Sequence, residues 1–170
     1  MLVETGLYYG GSQLWFAARI PHVITVEISA PLWLDYCENR HGLGFPPANA
    51  VTVLGPSLEV VDQVTELTHR LAGDGPVMVV LDSDHGTRQV LGELLHYGPL
   101  VTPGSYMVAE DGILHYLEPG PVLQGNWFDG DPLLAVQRFL RERDGWTIDQ
   151  ELEDLYPTTQ HPMGWLRRDG

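Results

Sequence analysis

Short apolar runs rich in valine alternate with segments of helical spacing along most of this chain, and this alternation limits the fold more than any other feature. Such runs have the composition of strands that are buried on both faces of a sheet. Five of them occupy residues 1–4, 22–27, 49–55, 77–81 and 105–110. Strands that alternate with helices favour parallel pairing, so the sequence predicts an α/β fold with a doubly wound sheet.

Helical segments fill most of the intervals between the runs. The clearest covers residues 57–72, where Val60, Val64, Leu67 and Leu71 recur at helical spacing. Further helices are expected over residues 13–19, 31–38, 87–97 and 133–143. Residues 112–132, which are rich in Gly, Pro and aromatic residues, are expected to form a loop containing a hairpin. The segments 147–156 and 163–168 would add two last strands to a single domain over residues 1–170.

The composition excludes several classes of protein. The 170 residues include 23 acidic and 9 basic residues, for a formal charge of −14, and every basic residue is an arginine. The absence of lysine excludes a Schiff-base enzyme and a Walker-type phosphate lysine, and the acidity argues against a nucleic-acid partner. No apolar stretch has the length of a membrane span, and the N-terminus lacks a signal pattern. With Cys37 as the only cysteine, we expect a cytoplasmic protein.

Two acidic clusters follow two of the predicted strands. Asp82 comes directly after the run 77–81, and Glu110 and Asp111 come directly after residues 105–109. Because ligands of α/β sheets bind where parallel strands end, these carboxylates are expected to meet in one cleft. They could be ordinary solvated loop residues, but three acids so close would repel one another. Carboxylate oxygens are the ligands that Mg²⁺ prefers, so the pattern favours a divalent metal site.

The residues after Asp82 have two further expected roles. Asp84 is expected to cap the helix that begins near Gly86. His85 would then lie in the first turn of that helix, where the helix dipole disfavours the imidazolium form and keeps the ring able to accept a proton. A lone histidine is normally surface or core filler. Its position three residues after a candidate metal ligand favours a general base instead.

A glycine-rich loop follows the first predicted strand, between Gly6 and Gly11. Glycines there let the backbone turn sharply and approach a ligand closely, although an ordinary tight turn has the same composition. Glu27 closes the second strand, at the distance at which nucleoside-binding α/β proteins place an acid for the ribose hydroxyls. The pair raises the prospect of a nucleoside cofactor.

Five other histidines give weaker indications. His22, His41, His69 and His96 lack partners at ligand spacing and are interpreted as structural. His115 and Trp127 lie in the loop after Asp111, where they could face either a substrate or solvent.

Four segments resemble a known family over residues 3 to 168: "VETGLYYGGS", "VLGPS", "VMVVLDSDHGTRQVLGELLHYGPLVTPGSYMVAED" and "TTQHPMGWLRR". They are similar to the cephalosporin hydroxylase family, whose members look like class I S-adenosylmethionine-dependent methyltransferases. That family is close to metal-dependent macrolide-sugar O-methyltransferases and to rhamnosyl O-methyltransferases. The resemblance implies a Rossmann-like, mostly parallel seven-stranded sheet with helices on both faces.

The resemblance also implies roles for individual residues. S-adenosylmethionine would contact seven of them: Glu4, Gly6, Gly10, Ser12, Glu27, Ser57 and Asp82. Mg²⁺ or another divalent cation would be held by Asp82, Glu110 and Asp111, and His85 would be the general base. The expected reaction is methylation of a hydroxyl on a small natural product or sugar in secondary metabolism, such as antibiotic biosynthesis.

The chain departs from the family at its start. Family members usually have helices before the first strand, whereas Met1 lies at that strand. We therefore keep two alternatives: a metal-dependent hydrolase or rearrangement catalyst on the same fold, and a degenerate, non-catalytic partner subunit. A small-molecule substrate is expected, and a homo-oligomer is compatible with the sequence.

Overall fold

A computed structural model describes residues 1–40, 46–117, 131–155 and 157–170. In these residues seven strands form one sheet, in the order β3-β2-β1-β4-β5-β7-β6. The strands are β1 (Leu2–Thr5), β2 (Val23–Glu27), β3 (Ala50–Leu54), β4 (Met78–Leu81), β5 (Tyr106–Ala109), β6 (Trp146–Ile148) and β7 (Trp165–Arg168). The first five pair in parallel, and β7 pairs antiparallel with β5 and β6. The predicted mostly parallel, seven-stranded sheet is confirmed.

Helices cover both faces of this sheet. They are α1 (Gly11–Ala17), α2 (Ala30–Arg40), α3 (Val61–Ala72), α4 (Thr87–Tyr97), α5 (Pro132–Glu142) and α6 (Gln150–Glu153). Side chains alternate between the faces of a strand, so Val79 and Leu81 pack with α3, α4 and α5 in the main core. Val80 points to the other face, where Phe16 and Ala17 at the end of α1 pack. Burial on both faces explains why the strands read as continuous apolar runs.

The C-terminal segment differs from the prediction. The expected strand over 147–156 is wrong beyond Ile148, because the chain turns into helix α6. The cause is local: the Asp149 side chain accepts a hydrogen bond from the backbone N–H of Leu152 at 3.1 Å and caps that helix. The strand expected over 163–168 is present as β7.

Two other boundaries also differ. The helix expected from Ser57 begins at Val61, after a turn in which the Val60 N–H donates to the carbonyl of Pro56. In the segment expected to be a loop, Gly112–Tyr116 form a 3₁₀ helix, and α5 begins at Pro132. The hairpin expected within 112–132 falls mainly on residues 118–130, which lie outside the described residues.

The strand order places the loops that follow β1, β2, β4 and β5 at one edge of the sheet, where the carboxyl ends of these parallel strands lie. Thr5 at the end of β1 is in register with Val26 on β2 and with Leu81 on β4, and Leu81 is in register with Ala109 on β5. The sheet reverses its direction of growth between β1 and β4, which is the point where open α/β sheets bind ligands. Residues that follow these strands are therefore brought together.

Across the described ranges, no helix has the length and apolar character needed to cross a membrane.

Gly6, which follows β1, is held where no other residue fits. Its φ is +88°, and a Cβ there would lie 1.9 Å from the carbonyl oxygen of Asp82. The Gly6→Ala variant is expected to lose about 3 kcal/mol or more of unfolding free energy, measured by denaturant titration, because it adds backbone strain to a steric clash.

The matched control is Gly11→Ala. A Cβ at Gly11 meets nothing within 4 Å. Its unfolding free energy is expected to stay within about 0.5 kcal/mol of the wild-type value. Equal stability of the two variants would contradict the close packing of the β1 and β4 loops.

Candidate active site

The glycine loop closes around the carboxylate of Glu27. The backbone N–H groups of Leu7 and Tyr8 both donate to one Glu27 oxygen at 3.2 Å, and Ser29 donates to the other at 2.7 Å. Gly10 has a φ of +66° and forms the N-cap of α1, so the left-handed turn that starts the helix needs its glycine. The structure thus brings three predicted cofactor residues together: Gly6, Gly10 and Glu27.

Glu4 and Ser12 lie together beneath this loop. The Glu4 side chain is only 1% exposed and accepts a hydrogen bond from the Thr25 hydroxyl at 3.1 Å. Burial raises the pKa of Glu4 to about 7, although the side-chain hydrogen bonds of Ser12 and Thr25 act in the opposite direction. A nearby cationic group would stabilise the charged form of this carboxylate, which burial disfavours.

Asp82 follows β4 at the centre of the same edge. Its N–H donates to the carbonyl of Thr5 at 3.0 Å, which fixes the start of the loop. The side chain keeps contact with solvent, but the crowded sheet edge desolvates its carboxylate. This desolvation raises the pKa of Asp82 to about 7, and nearby acids add to the rise, in the order Glu110, Asp111, Glu4 and Glu93.

Two histidines face the second acidic cluster. His161 Nδ1 lies 2.9 Å from an oxygen of Glu110, and this hydrogen bond raises the pKa of His161. His85 Nδ1 lies 3.3 Å from an oxygen of Asp111, whose backbone is left-handed with a φ of +57°. The predicted base therefore lies beside a predicted metal ligand.

The donors predicted for a metal fit a hard divalent cation in their chemistry. Desolvation is the main cause of the raised pKa of Asp82, but repulsion by Glu110 and Asp111 adds to it, and a cation among the three would relieve that repulsion. As the side chains stand, no three His, Cys, Asp or Glu residues within the described parts of the chain are arranged to hold a metal ion. Glu110 and Asp111 have histidine partners instead, so metal binding stays a prediction.

Two local predictions around Asp84 are wrong. Helix α4 begins at Thr87 with Gly86 as its N-cap, and no side chain caps it. Asp84 instead accepts a hydrogen bond from the Gly86 N–H at 2.6 Å, in a turn that precedes the helix. His85 consequently lies before the helix rather than in its first turn, so the helix-dipole argument does not apply to it as stated.

Ser57 is nearly buried, at 7% exposed, and its hydroxyl donates to Glu93 at 2.5 Å. Its side chain thus has a partner inside the protein, and its predicted adenine contact stays a prediction. His115 Nδ1 lies 2.6 Å from a carboxylate oxygen of Asp131, the N-cap of α5. Trp127 lies outside the described residues.

Sequence reasoning missed two residues of this region. His161 is 51 positions from Glu110 and reaches it only through the antiparallel pairing of β5 with β7, so no local spacing indicates the contact. Glu93 did leave a signal, because it is an acidic residue on the mostly apolar inner face of α4, beside Val90 and Leu94.

A cavity of about 260 Å³ adjoins His161. Its walls combine apolar with polar side chains: Leu152, Glu153, Leu155, Thr158, Thr159, Gln160, His161 and Trp165. Trp165 begins β7 and is paired with Val108 on β5, so the cavity lies at the same sheet edge as Glu110.

Comparisons with solved structures give the class of fold. The O-methyltransferase TomG from Streptomyces achromogenes, in complex with SAM, superposes with a TM-score of 0.66 at 18% identity, over 99% of this chain and 73% of TomG. MycE methyltransferase from the mycinamycin biosynthetic pathway, in complex with Mg and SAH, superposes with a TM-score of 0.59 at 16% identity, over 99% of this chain and 44% of MycE. The protein has the Rossmann-like fold of these methyltransferases.

The sequence gives the family. Residues 1–169 match the family described as Rhamnosyl O-methyltransferase/CmcI. A rhamnosyl O-methyltransferase of Mycobacterium leprae is 32% identical over 172 residues, which cover 99% of this chain and 71% of the relative. The chain belongs to the rhamnosyl O-methyltransferase/CmcI family. The expected kinship with rhamnosyl O-methyltransferases is confirmed, and the narrower name of cephalosporin hydroxylase stays a prediction.

The buried Glu4 gives a pH-dependent prediction. Its pKa rises from 4.5 to about 7 on folding, so between these values the folded protein binds more protons than the unfolded chain. Its contribution to stability is therefore lost as the pH rises through 7. Between pH 4.5 and 8, the unfolding free energy of the wild type is expected to fall by about 3 kcal/mol more than that of the Glu4→Gln variant, measured by denaturant titration. Parallel stability curves for the two proteins would contradict it.

Proposed function

We propose that this protein is a Mg²⁺- and S-adenosylmethionine-dependent O-methyltransferase that acts on a hydroxyl of a small natural product or sugar. The observation that supports this most is the convergence of the Glu27-bound glycine loop, Asp82 and the Asp111–His85 pair at one sheet edge. Membership of a family of O-methyltransferases supports the choice of reaction.

The cofactor would lie along the β1, β2 and β4 loops. Glu27 would accept hydrogen bonds from the ribose hydroxyls, and Glu4 would lie near an ammonium or sulfonium group. Gly6 and Gly10 let the backbone approach the cofactor closely, and Ser12 and Ser57 would complete the pocket. S-adenosylmethionine would supply the methyl group, and the protein would hold it in line with the acceptor oxygen.

Mg²⁺, when bound by Asp82, Glu110 and Asp111, would lower the pKa of the acceptor hydroxyl and orient it. For the three carboxylates to bind one cation, Glu110 would have to break its hydrogen bond to His161, and Asp111 would contact the cation as well as His85.

His85 is proposed to accept the proton of the acceptor hydroxyl; S-adenosylmethionine, when bound, would give up its methyl group to that oxygen and leave as S-adenosylhomocysteine. The His85 Nδ1 is within 3.3 Å of Asp111, a contact that favours the tautomer with the proton on Nδ1. That tautomer leaves the basic lone pair on Nε2, as in other carboxylate–histidine pairs.

The Asp82→Asn and His85→Ala variants test these roles. Each is expected to reduce kcat by about 10²- to 10⁴-fold, because one removes a ligand charge and the other removes the base. The measurement is transfer of labelled methyl from S-adenosylmethionine to a rhamnoside acceptor, with Mg²⁺ and after chelation. His96→Ala, an exposed histidine on α4, is the control and should retain full activity. Full activity of both site variants would refute the proposed roles of Asp82 and His85. Full activity after chelation would refute the requirement for a metal ion.

The acceptor is proposed to enter through the cavity beside His161, where Leu152 and Trp165 offer apolar contact and Thr159 and Gln160 offer hydrogen bonds. Such mixed walls suit a sugar or a polyketide ring, which has both apolar and hydroxyl surfaces.

Leu155 tests this entry, because it lines the cavity and is 64% exposed, so its replacement leaves the core intact. Leu155→Asp is expected to raise the acceptor KM about tenfold with little change in kcat, since it places a charge against the apolar face of the acceptor. Leu34→Asp changes a similarly exposed leucine, at 58%, on α2, which joins β2 to β3 and so lies across the strand order from β7. Steady-state kinetics that give the same acceptor KM for both variants would place the acceptor elsewhere.

A further inference from the structure

Glu93 is a fully buried carboxylate that joins three separate segments of the chain. It lies on the inner face of α4 and is 0% exposed. One oxygen accepts the hydroxyls of Ser57 at 2.5 Å and Ser83 at 2.6 Å, together with an N–H of Gln89 at 3.3 Å. The other oxygen accepts the hydroxyl of Thr5 at 3.2 Å. All four partners can donate, so together they satisfy a carboxylate that has no contact with water.

A buried acid at this position of α4 lowers the stability of the fold unless other groups compensate for its desolvation. Burial raises the pKa of Glu93, and the hydrogen bonds from its partners only oppose that rise. The neighbouring inner positions Val90 and Leu94 are apolar, and a leucine in place of Glu93 would avoid the desolvation. Fully satisfied buried networks of this kind fix the relative positions of the segments that they join.

Helix α4 holds the loop that contains Ser57 from several sides. Gln89 donates to the Ser57 hydroxyl oxygen at 2.8 Å, and the Tyr97 hydroxyl donates to the Ser57 carbonyl at 2.6 Å. Gly92 packs so closely that an added Cβ would lie 2.8 Å from Leu58. Glu93 lies between Gln89 and Tyr97 on this face, so its carboxylate is at the centre of the contact.

The other two partners adjoin the candidate site directly. Thr5 precedes Gly6, and Ser83 follows Asp82. The hydroxyl of Thr5 also accepts the N–H of Asp82 at 3.3 Å. One buried carboxylate therefore links the loops after β1, β3 and β4, which border the proposed cofactor pocket.

We propose that Glu93 is a positioning residue for the cofactor: it sets the relative placement of the Ser57 loop and the Asp82–Ser83 loop through hydroxyl hydrogen bonds, without touching the cofactor. This inference rests on the proposed function, since it names the residue that shapes the S-adenosylmethionine pocket from behind.

The test compares S-adenosylhomocysteine affinity with stability. Glu93→Gln keeps the side-chain shape but replaces one acceptor oxygen with a donating amide, so either the Thr5 hydroxyl or the Ser57 and Ser83 hydroxyls lose their acceptor. It is expected to weaken S-adenosylhomocysteine binding about tenfold in calorimetry, and Glu93→Ala more. The control Leu94→Ala removes a fully buried apolar side chain from the same helix turn. It is expected to lower the Tm while its Kd for S-adenosylhomocysteine stays at the wild-type value.

A double-mutant cycle separates positioning from general stability. If Glu93 acts through Ser57, then Glu93→Gln weakens S-adenosylhomocysteine binding less in a Ser57→Ala background than in the wild type. Additive effects, or a Glu93→Gln protein with a lower Tm and unchanged affinity, would overturn the positioning role. Wild-type protein that binds no S-adenosylhomocysteine would instead overturn the proposed function itself, so the two failures are distinguishable.

Discussion

The parallel pairing of β1 with both β2 and β4 is the constraint on which the rest of the structure depends. Thr5 is in register with Val26 on one side and with Leu81 on the other, so three strands end at one level. The polar residues that come next along the chain must then share one edge, and their charges meet there. A one-residue shift of β4 would turn Val79 and Leu81 away from the main core, so the hydrophobic pattern also fixes the position of Asp82.

Most of the fold could be predicted because its determinants are local. Valine-rich runs buried on both faces identify strands, and the run 77–81 differs from β4 (Met78–Leu81) by one residue. The C-terminal error has an equally local cause, since Asp149 can cap a helix turn and thereby ends a stretch that otherwise has strand composition. Capping depends on a hydrogen bond between one side chain and one backbone N–H, so it cannot be predicted from the pattern of apolar residues.

The candidate site could be predicted only where it follows from strand ends. Asp82, Glu110 and Glu27 come directly after or at the end of strands, so a parallel sheet alone brings them to one edge. His161 and Glu93 depend on tertiary packing, through the β5–β7 pairing and through the close contact of α4 with the β3–α3 turn. Neither contact has a fixed sequence separation, so spacing alone could not identify either of them, although an acid on an apolar helix face marks Glu93 as unusual.

The two loop N–H groups that donate to Glu27 have a thermodynamic consequence for ligand capture. The two Glu27 oxygens have about four lone-pair sites, and the N–H groups of Leu7, Tyr8 and Ser29 use three, so one site stays open to a ligand hydroxyl while these contacts persist. The loop therefore has its shape before any ligand arrives, and binding need not order it. Because the conformational entropy of those residues is already lost on folding, more of the contact energy is available as affinity.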